Sequence, residues 1–147
     1  MKFKTEKEKW AWFGGFVDGE GCLVLVYHPK KKYPHSERKK AHWDIRLVIV
    51  NTSKEVMEFL KDNFGGYYYM RREKNFEWDN RRRGYQWIRT GKDLEKLLPY
   101  IYKYSLLKRE HVKLLIRSLK TKNDKVLFKI KNKIHILNKR GKRDKTQ

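Results

Sequence analysis

Two acidic residues, Asp18 and Glu20, stand close together in a stretch of the chain that has no basic residue. From Trp10 to Pro29 there is neither lysine nor arginine, although the chain as a whole has 38 of them against 17 acids. Both acids fall at the carboxyl end of a helix-forming segment, where the helix dipole is already negative. Carboxylates placed there favour a hard divalent cation, which phosphodiester hydrolysis also uses. The alternative is a solvated Asp-Gly-Glu-Gly turn.

The net charge of +21 on 147 residues predicts an anionic partner, because such an excess repels itself in a folded chain. Nucleic acid is the first candidate and an anionic membrane surface the weaker one. No apolar run approaches the roughly 20 residues that span a bilayer, so no membrane partner is expected. Charges fill the amino-terminal segment, and Cys22 is the single cysteine. We therefore expect an intracellular protein without a disulfide or a thiolate metal cluster.

The glycines around the two acids predict a contact between two chains. Gly14 and Gly15 interrupt a helix built from Trp, Phe and Val, and an interior glycine costs about 1 kcal/mol relative to alanine. Glycines are tolerated where another backbone comes very close. The chain has one such segment, which predicts a homodimer in which two acids meet at the seam, one from each copy. The predicted interface residues are Phe13, Gly14, Gly15 and Val17.

The elements that must position these residues follow from caps and periodicity. Capping boxes open helices at Thr5 and Thr52, and apolar residues alternate with polar ones over 41–50. The predicted order is α-β-β-α-β-β-α-α-α, an α+β fold with a four-stranded antiparallel sheet, helices on one face and the other face open. The strands are expected at 22–27, 41–50, 67–72 and 85–89, with later helices at 92–98, 105–119 and 126–137.

The open face and its hairpin loops carry groups that recognise double-stranded DNA. Arginine pairs with guanine, aspartate accepts from cytosine, and clustered lysines bind phosphates. The faces taken by Tyr85 and Trp87 stay undecided. The predicted DNA-binding residues are Lys30, Lys31, Lys32, Tyr33, Arg38, Lys40, His42, Asp44, Arg46, Val48, Tyr69, Arg71, Arg81 and Arg83.

The nine residues from Phe13 to Gly21, FGGFVDGEG, resemble the LAGLIDADG motif and keep its acid-Gly-acid-Gly ending. The resemblance continues through Ile49-Val50-Asn51, Phe64-Gly65-Gly66 and Leu97-Leu98-Pro99-Tyr100, and so covers about residues 5–120. The chain thus resembles the single-motif homing endonucleases. Residues 1–120 would form the endonuclease core, and 121–147 a basic helix and tail of the same domain.

This resemblance implies an αββαββα fold whose saddle-shaped sheet lies in the DNA major groove. It implies an intron-encoded homodimer that cuts both strands of a long, nearly palindromic site. The reaction would use Mg²⁺ or Mn²⁺. Glu20 matches the metal ligand of the motif, Gly19 and Gly21 match main-chain positions beside the metal, and Asp18 matches an acid that is less directly catalytic.

Two further site residues come from the same resemblance. Asn51 falls where the family often has a glutamine that positions water, and Lys108 falls near the active-site lysine. The stretch after Pro99 is longer than in some relatives, which makes Lys103 a rival. Alternative functions on the same scaffold are an RNA maturase acting on its own intron and a non-catalytic DNA-binding regulator, with a basic ribosomal protein as the weakest alternative.

Overall fold

The first helix and strand meet at the two acids. The computed structural model describes residues 1–30, 40–71 and 84–143, with side chains up to 139. Helix α1 (Glu6–Glu20) begins at Thr5, whose hydroxyl accepts the N–H of Glu8 at 3.1 Å. The helix ends where Gly21 donates its N–H to Val17, and strand β1 (Gly21–His28) follows without a loop.

Four antiparallel strands form the sheet. After β1 come β2 (His42–Asn51), helix α2 (Lys54–Phe64), β3 (Tyr67–Met70) and β4 (Tyr85–Thr90), and the strand order is β1-β2-β4-β3. Each hairpin is preceded by a helix, as predicted, and the α+β fold class is confirmed. The two hairpins join through β2 and β4, where Ile49 lies opposite Trp87.

The sheet has one buried and one open face, and the alternation along β2 places them as predicted. Ile45, Leu47 and Ile49 are buried against the helices. Asp44, Arg46 and Val48 have the opposite parity and lie on the open face, where none of them belongs to the hydrophobic core. The period of two in the sequence therefore assigns this strand correctly.

The carboxyl-terminal half differs from the prediction. Among the residues up to 143, four helices follow the sheet, not three: α3 (Gly91–Glu95), α4 (Leu98–Tyr104), α5 (Arg109–Leu119) and α6 (Asp124–Arg143). The helix predicted at 92–98 was expected to stop at Pro99, but Pro99 stands in the first turn of α4, where its missing N–H costs nothing. The predicted helix from 105 begins only at Arg109, because residues 105–107 bind Asp18 instead. No helix in the described residues could span a membrane.

The core explains which face β4 takes. Trp87 is fully buried among Phe13, Leu60 and other core residues, and its indole Nε1 donates to the carbonyl oxygen of Gly65 at 2.8 Å. Gln86 and Ile88 therefore share the open face. The neighbouring strand β3 is tied to α2 by a side-chain hydrogen bond. The Tyr68 hydroxyl of β3 donates to the Glu58 carboxylate of α2, and this hydrogen bond raises the pKa of Tyr68 to about 12.

Helix α6 closes the edge of the sheet along β1. Leu127, Ile130 and Ile134 of this helix belong to the core. At its start the indole Nε1 of Trp43 donates to the carboxylate of Asp124 at 3.0 Å. Near its end Asn138 donates its amide to the carbonyl of Leu23 at 3.1 Å. Hydrogen bonds at both ends thus fix α6 to the sheet.

Asn138 also sets the protonation of His111. Because its amide nitrogen donates to Leu23, its oxygen faces His111 Nε2 at 3.0 Å, and the imidazole must carry its proton on Nε2. The other nitrogen, Nδ1, is buried and has no partner among the described residues. Burial, and then the charge of Lys108, lower the pKa of His111 below 6.5. Neutral His111 is therefore the form that fits the folded chain.

We predict a loss of stability in mild acid that depends on His111. Since its pKa is lowered on folding, the unfolded chain takes up the proton first as the pH falls below about 6.5. The contribution of neutral His111 to the free energy of unfolding is complete above that pH. It is lost as the pH falls through the pKa of His111 in the folded chain. Urea unfolding between about pH 7.5 and pH 5 should show a shallower decline for His111→Gln than for wild type. The matched change at exposed His135 should leave the decline unaltered, and an equal effect of both would contradict the assignment.

Candidate functional site

The carboxylate of Asp18 binds the segment that links α4 to α5. It accepts the Ser105 hydroxyl, the N–H of Leu106 at 2.7 Å and the N–H of Leu107 at 3.1 Å. Three donors satisfy one carboxylate, and two of them are backbone groups that no neighbouring helix satisfies. Asp18, which was expected close to the reacting groups, thus holds the segment between α4 and α5 in place.

Glu20 has the opposite surroundings. Its side chain is exposed and makes no hydrogen bond or ion pair with any residue that the structure describes. Gly19 next to it is exposed, and a Cβ added there would meet nothing within 4 Å. A free carboxylate on a cation-poor helix end fits a hard divalent cation. Within the described ranges no cluster of three His, Cys, Asp or Glu side chains is found.

The loop held by Asp18 carries Lys108. The N–H of Lys108 donates to Ser105 Oγ at 2.9 Å, and the Arg109 guanidinium donates to the Ser105 carbonyl at 3.1 Å. The backbone of Lys108 is therefore fixed, through Ser105 and Asp18, to the end of α1 that bears Glu20. Lys103, the rival, lies in the last turn of α4 with its Nζ 5.3 Å from the ring of Tyr104.

Asn51 lies at the same end of the sheet but is partly engaged. Gly21 pairs with Ile49, so the strand end at Asn51 lies beside the junction of α1 and β1. Its amide oxygen accepts the N–H of Ser53 at 2.8 Å, which opens α2. That Asn51 positions a water stays a prediction, because its amide oxygen keeps a second lone pair after accepting from Ser53 and its NH₂ group can donate.

Helix α1 faces two ways, and the predicted interface must be corrected. Phe13 and Val17 are fully buried in the core of their own subunit. A Cβ on Gly14 would lie 2.6 Å from that of Tyr104, so Gly14 lets α4 approach within the same chain. These three residues therefore serve the subunit and not a second copy. Gly15 alone of the predicted set is exposed, with nothing within 4 Å of an added Cβ.

The open face carries polar and aromatic groups on all four strands, with valines and Ile88 between them. His28 and His42 stack with ring centroids 4.5 Å apart, and Arg46 lies between Val24 and Thr90 with its Nε buried and unpaired among the described residues. Lys30 and Lys40 are exposed where the first hairpin loop begins and ends. The predicted face is thus found at His42, Asp44, Arg46, Val48, Tyr69 and Arg71.

Several members of the face were not predicted. Val24 and Val26 on β1, Gln86 on β4 and Tyr67 on β3 share it with Arg46. The register was needed to find them, because the short strands β3 and β4 show no clear alternation in sequence. The predicted residues Lys31, Lys32, Tyr33, Arg38, Arg81 and Arg83 lie outside the described residues. Cationic side chains on an open sheet and an unpaired carboxylate at the end of α1 are groups that an enzyme hydrolysing nucleic acid would use.

A family model described as LAGLIDADG endonuclease matches residues 13–116. The match covers more than half of the chain, so the chain belongs to the LAGLIDADG endonuclease family. The family and the class of metal-dependent DNA endonuclease predicted from the sequence are confirmed. No curated protein sequence matches the chain.

Solved structures similar to this chain share its fold. The homing endonuclease I-CvuI, bound to its target with calcium, is 22% identical, with a TM-score of 0.67 over 89% of this chain and 82% of that one. The archaeal intron-encoded I-Vdi141I, complexed with DNA, is 19% identical, with a TM-score of 0.64 over 90% and 86%. I-LtrWI, bound to target DNA, is 20% identical, with a TM-score of 0.61, but this chain covers 46% of it.

We predict that Asp18→Asn destabilises the fold while Glu20→Gln does not. The asparagine amide would turn an NH₂ group toward backbone donors, so the free energy of unfolding should fall by about 1–3 kcal/mol. Glu20 has no partner within the described chain, so Glu20→Gln should change it by about 0.5 kcal/mol or less. Urea unfolding of both variants measures the difference. Equal stabilities would mean that the loop is not held through Asp18.

Proposed function

We propose that this chain is a homing endonuclease that, as a homodimer, cuts both strands of a long pseudo-palindromic DNA site. The observation that carries the proposal is the bare Glu20 carboxylate at the end of α1, beside the loop that Asp18 holds and that carries Lys108. An intron-encoded origin, as in I-Vdi141I, is part of the proposal. The enzyme would act in whichever compartment holds its target DNA.

Glu20 is the residue that would hold a divalent cation, with the backbone of Gly19 or Gly21 as a further oxygen ligand. Mg²⁺ is proposed, with Mn²⁺ as a substitute, and I-CvuI was solved with DNA in the presence of magnesium and of calcium. When bound, such a cation supplies the Lewis acidity and the activated water that phosphodiester hydrolysis needs.

The remaining site residues act on the phosphate and the water through their own donors. Lys108 would offset the negative charge that develops on the scissile phosphate, since its backbone is fixed next to the end of α1. The free NH₂ group of Asn51 would donate to the attacking water or to a phosphate oxygen. Asp18 positions Lys108 and does not touch the reacting atoms.

The dimer is proposed to join copies of α1 along the exposed side that carries Gly15 and Gly19. Both positions leave room for another backbone, because an added Cβ meets nothing within 4 Å. A two-fold axis through this side of α1 would bring the Glu20 carboxylates of the two copies toward one another at the seam. The coverage of only 46% of I-LtrWI agrees with a fold that occurs twice in a longer relative.

The open face of the sheet is proposed to read the target in the major groove. Arg46 stands in a central strand, where its guanidinium can pair with guanine, and the newly found Gln86 can pair with adenine. Lys30 and Lys40 would bind phosphates. A second candidate function is binding of intron RNA as a maturase, which the excess of cations away from the sheet favours.

We expect Glu20→Gln to bind DNA normally and to cut it several orders of magnitude more slowly. The variant keeps the side-chain shape but removes the negative charge that holds the cation. Binding to the intronless insertion site in Ca²⁺ and cleavage in Mg²⁺ are measured on the same duplex. Glu55→Gln, a matched change at an acid in the first turn of α2, should leave both unchanged. Undiminished cleavage by Glu20→Gln would refute the metal assignment, and a wild type that binds but never cuts would favour the maturase or the regulator.

We expect Gly15→Leu to abolish the dimer without unfolding the subunit. The Cβ of a leucine at this exposed helical position meets no atom of its own chain within 4 Å, and leucine gains about 1 kcal/mol of helix propensity over glycine. Sedimentation should show a monomer, and thermal unfolding should show an intact fold. Asn132→Leu, on the exposed side of α6, should stay dimeric. If Gly15→Leu sediments as a dimer and cleaves at the wild-type rate, α1 does not form the interface.

A further inference from the structure

A line of cations runs along α5 on the side that faces away from the sheet. Arg109, Lys113, Arg117 and Lys120 follow one another at intervals of four, four and three residues, which places them on one side of a helix. All four are exposed. The single acid along α5 is Glu110, which pairs with Lys113 at 3.2 Å. A clear positive excess therefore remains on this side.

The buried residues of α5 show that the cationic side of this helix faces away from the sheet. Val112 and Leu115 belong to the core together with Leu23 and Leu25 of the sheet. They lie on the opposite side of the helix from the four cations. A duplex on the open face of the sheet would be separated from these cations by the sheet and by a helix about 10–12 Å across. The proposed reading of duplex DNA by the open face therefore does not involve these cations.

A recess of about 320 Å³ opens among the same cations. Its walls are Tyr102, Lys113, Ile116, Arg117 and Lys120, so an aromatic ring and an aliphatic side chain lie between positive charges. Tyr102 is 40% exposed, and the guanidinium of Arg109 lies 5.8 Å from its ring centroid. The volume is at the lower end of the roughly 300–1,000 Å³ of small-ligand sites.

We propose that this recess binds single-stranded nucleic acid, with a base stacked on Tyr102 and the flanking phosphates on Arg117 and Lys120. An unpaired strand can turn a base out of its stack, whereas a duplex offers mainly phosphates to a surface of this kind. The combination of an exposed aromatic ring and cations on one side of a helix therefore favours a single strand. RNA and single-stranded DNA share this chemistry. The site is independent of the duplex-cleaving activity.

The test uses wild-type protein that is saturated with unlabelled duplex DNA. Fluorescence anisotropy then follows a labelled oligouridylate of about 12 nucleotides and the matching oligothymidylate. We expect binding of at least one of them in the presence of duplex. Tyr102→Ala should weaken it at least about fivefold, while Tyr102→Phe should retain it because the stacking ring is kept. Binding of RNA alone, of single-stranded DNA alone or of both supports the site and shows which kind of strand it binds.

Matched neutralisations separate the recess from the general charge of the chain. Arg117→Gln with Lys120→Gln should weaken single-strand binding and lower its salt slope by about 0.7 for each lost phosphate contact. Lys125→Gln with Lys129→Gln removes the same charge from exposed positions on α6 and should have little effect. Duplex cleavage should stay unchanged in both.

Three results would overturn the proposal. Equal losses in the two double variants would show attraction by net charge alone. Full binding by Tyr102→Ala would show that no base uses the recess. The third result is displacement of the oligonucleotide by a competitor. Displacement by duplex would place the oligonucleotide on the open face of the sheet. Equally good displacement by polyglutamate would reassign the recess to acidic peptides. A failure of duplex cleavage in wild type would instead refute the proposed function and leave these measurements intact.

Discussion

At Gly14 the first helix and α4 approach so closely that an added Cβ would lie 2.6 Å from the Cβ of Tyr104. That approach brings the residues after Tyr104 to the end of α1, where Asp18 accepts their backbone N–H groups. Ser105, held by the same carboxylate, in turn accepts the N–H of Lys108. The placement of the lysine loop therefore depends on a glycine one turn before the acid. Any side chain at position 14 would separate α4 from α1, and the loop would lose its partner.

The two adjacent glycines of α1, Gly14 and Gly15, have different surroundings. Phe13 and Val17 bury one side of α1 in the core, while Trp12 and Phe16 stack at 4.8 Å on a half-buried flank. Gly15 is then left bare on the remaining side. A helix apolar on most of its circumference is stable in water only if its surfaces are covered. Two adjacent glycines thus answer two different needs: one admits a helix of the same chain, and the other leaves a surface open to a further partner.

The sequence predicted the sheet well because alternation along β2 is strong. It predicted the first two helices from their caps, although α2 is capped by Ser53 and not by Thr52. It failed at Pro99, where a helix-breaking residue starts a helix, since the preference of proline for the first turn competes with its use as a stop signal. The sequence analysis also assigned both Gly14 and Gly15 to the dimer interface, because spacing alone does not tell which glycine contacts a helix of its own chain. The open-face position of Gln86 depends on register with β2, a long-range property that a six-residue strand does not encode.

Asp18 and Glu20 show how two like charges two residues apart take different roles. The helix geometry points them in different directions, so one carboxylate meets donors from the α4–α5 segment and the other meets none in the described chain. A carboxylate that accepts three hydrogen bonds has little left to offer a cation, whereas a bare one keeps its full capacity. Around both, the chain withholds lysine and arginine from Trp10 to Pro29 although its net charge is +21. A basic side chain there would pair with Glu20 and compete with a divalent cation. The surplus of cations that would attract nucleic acid is thus kept out of the sequence segment that carries both acids.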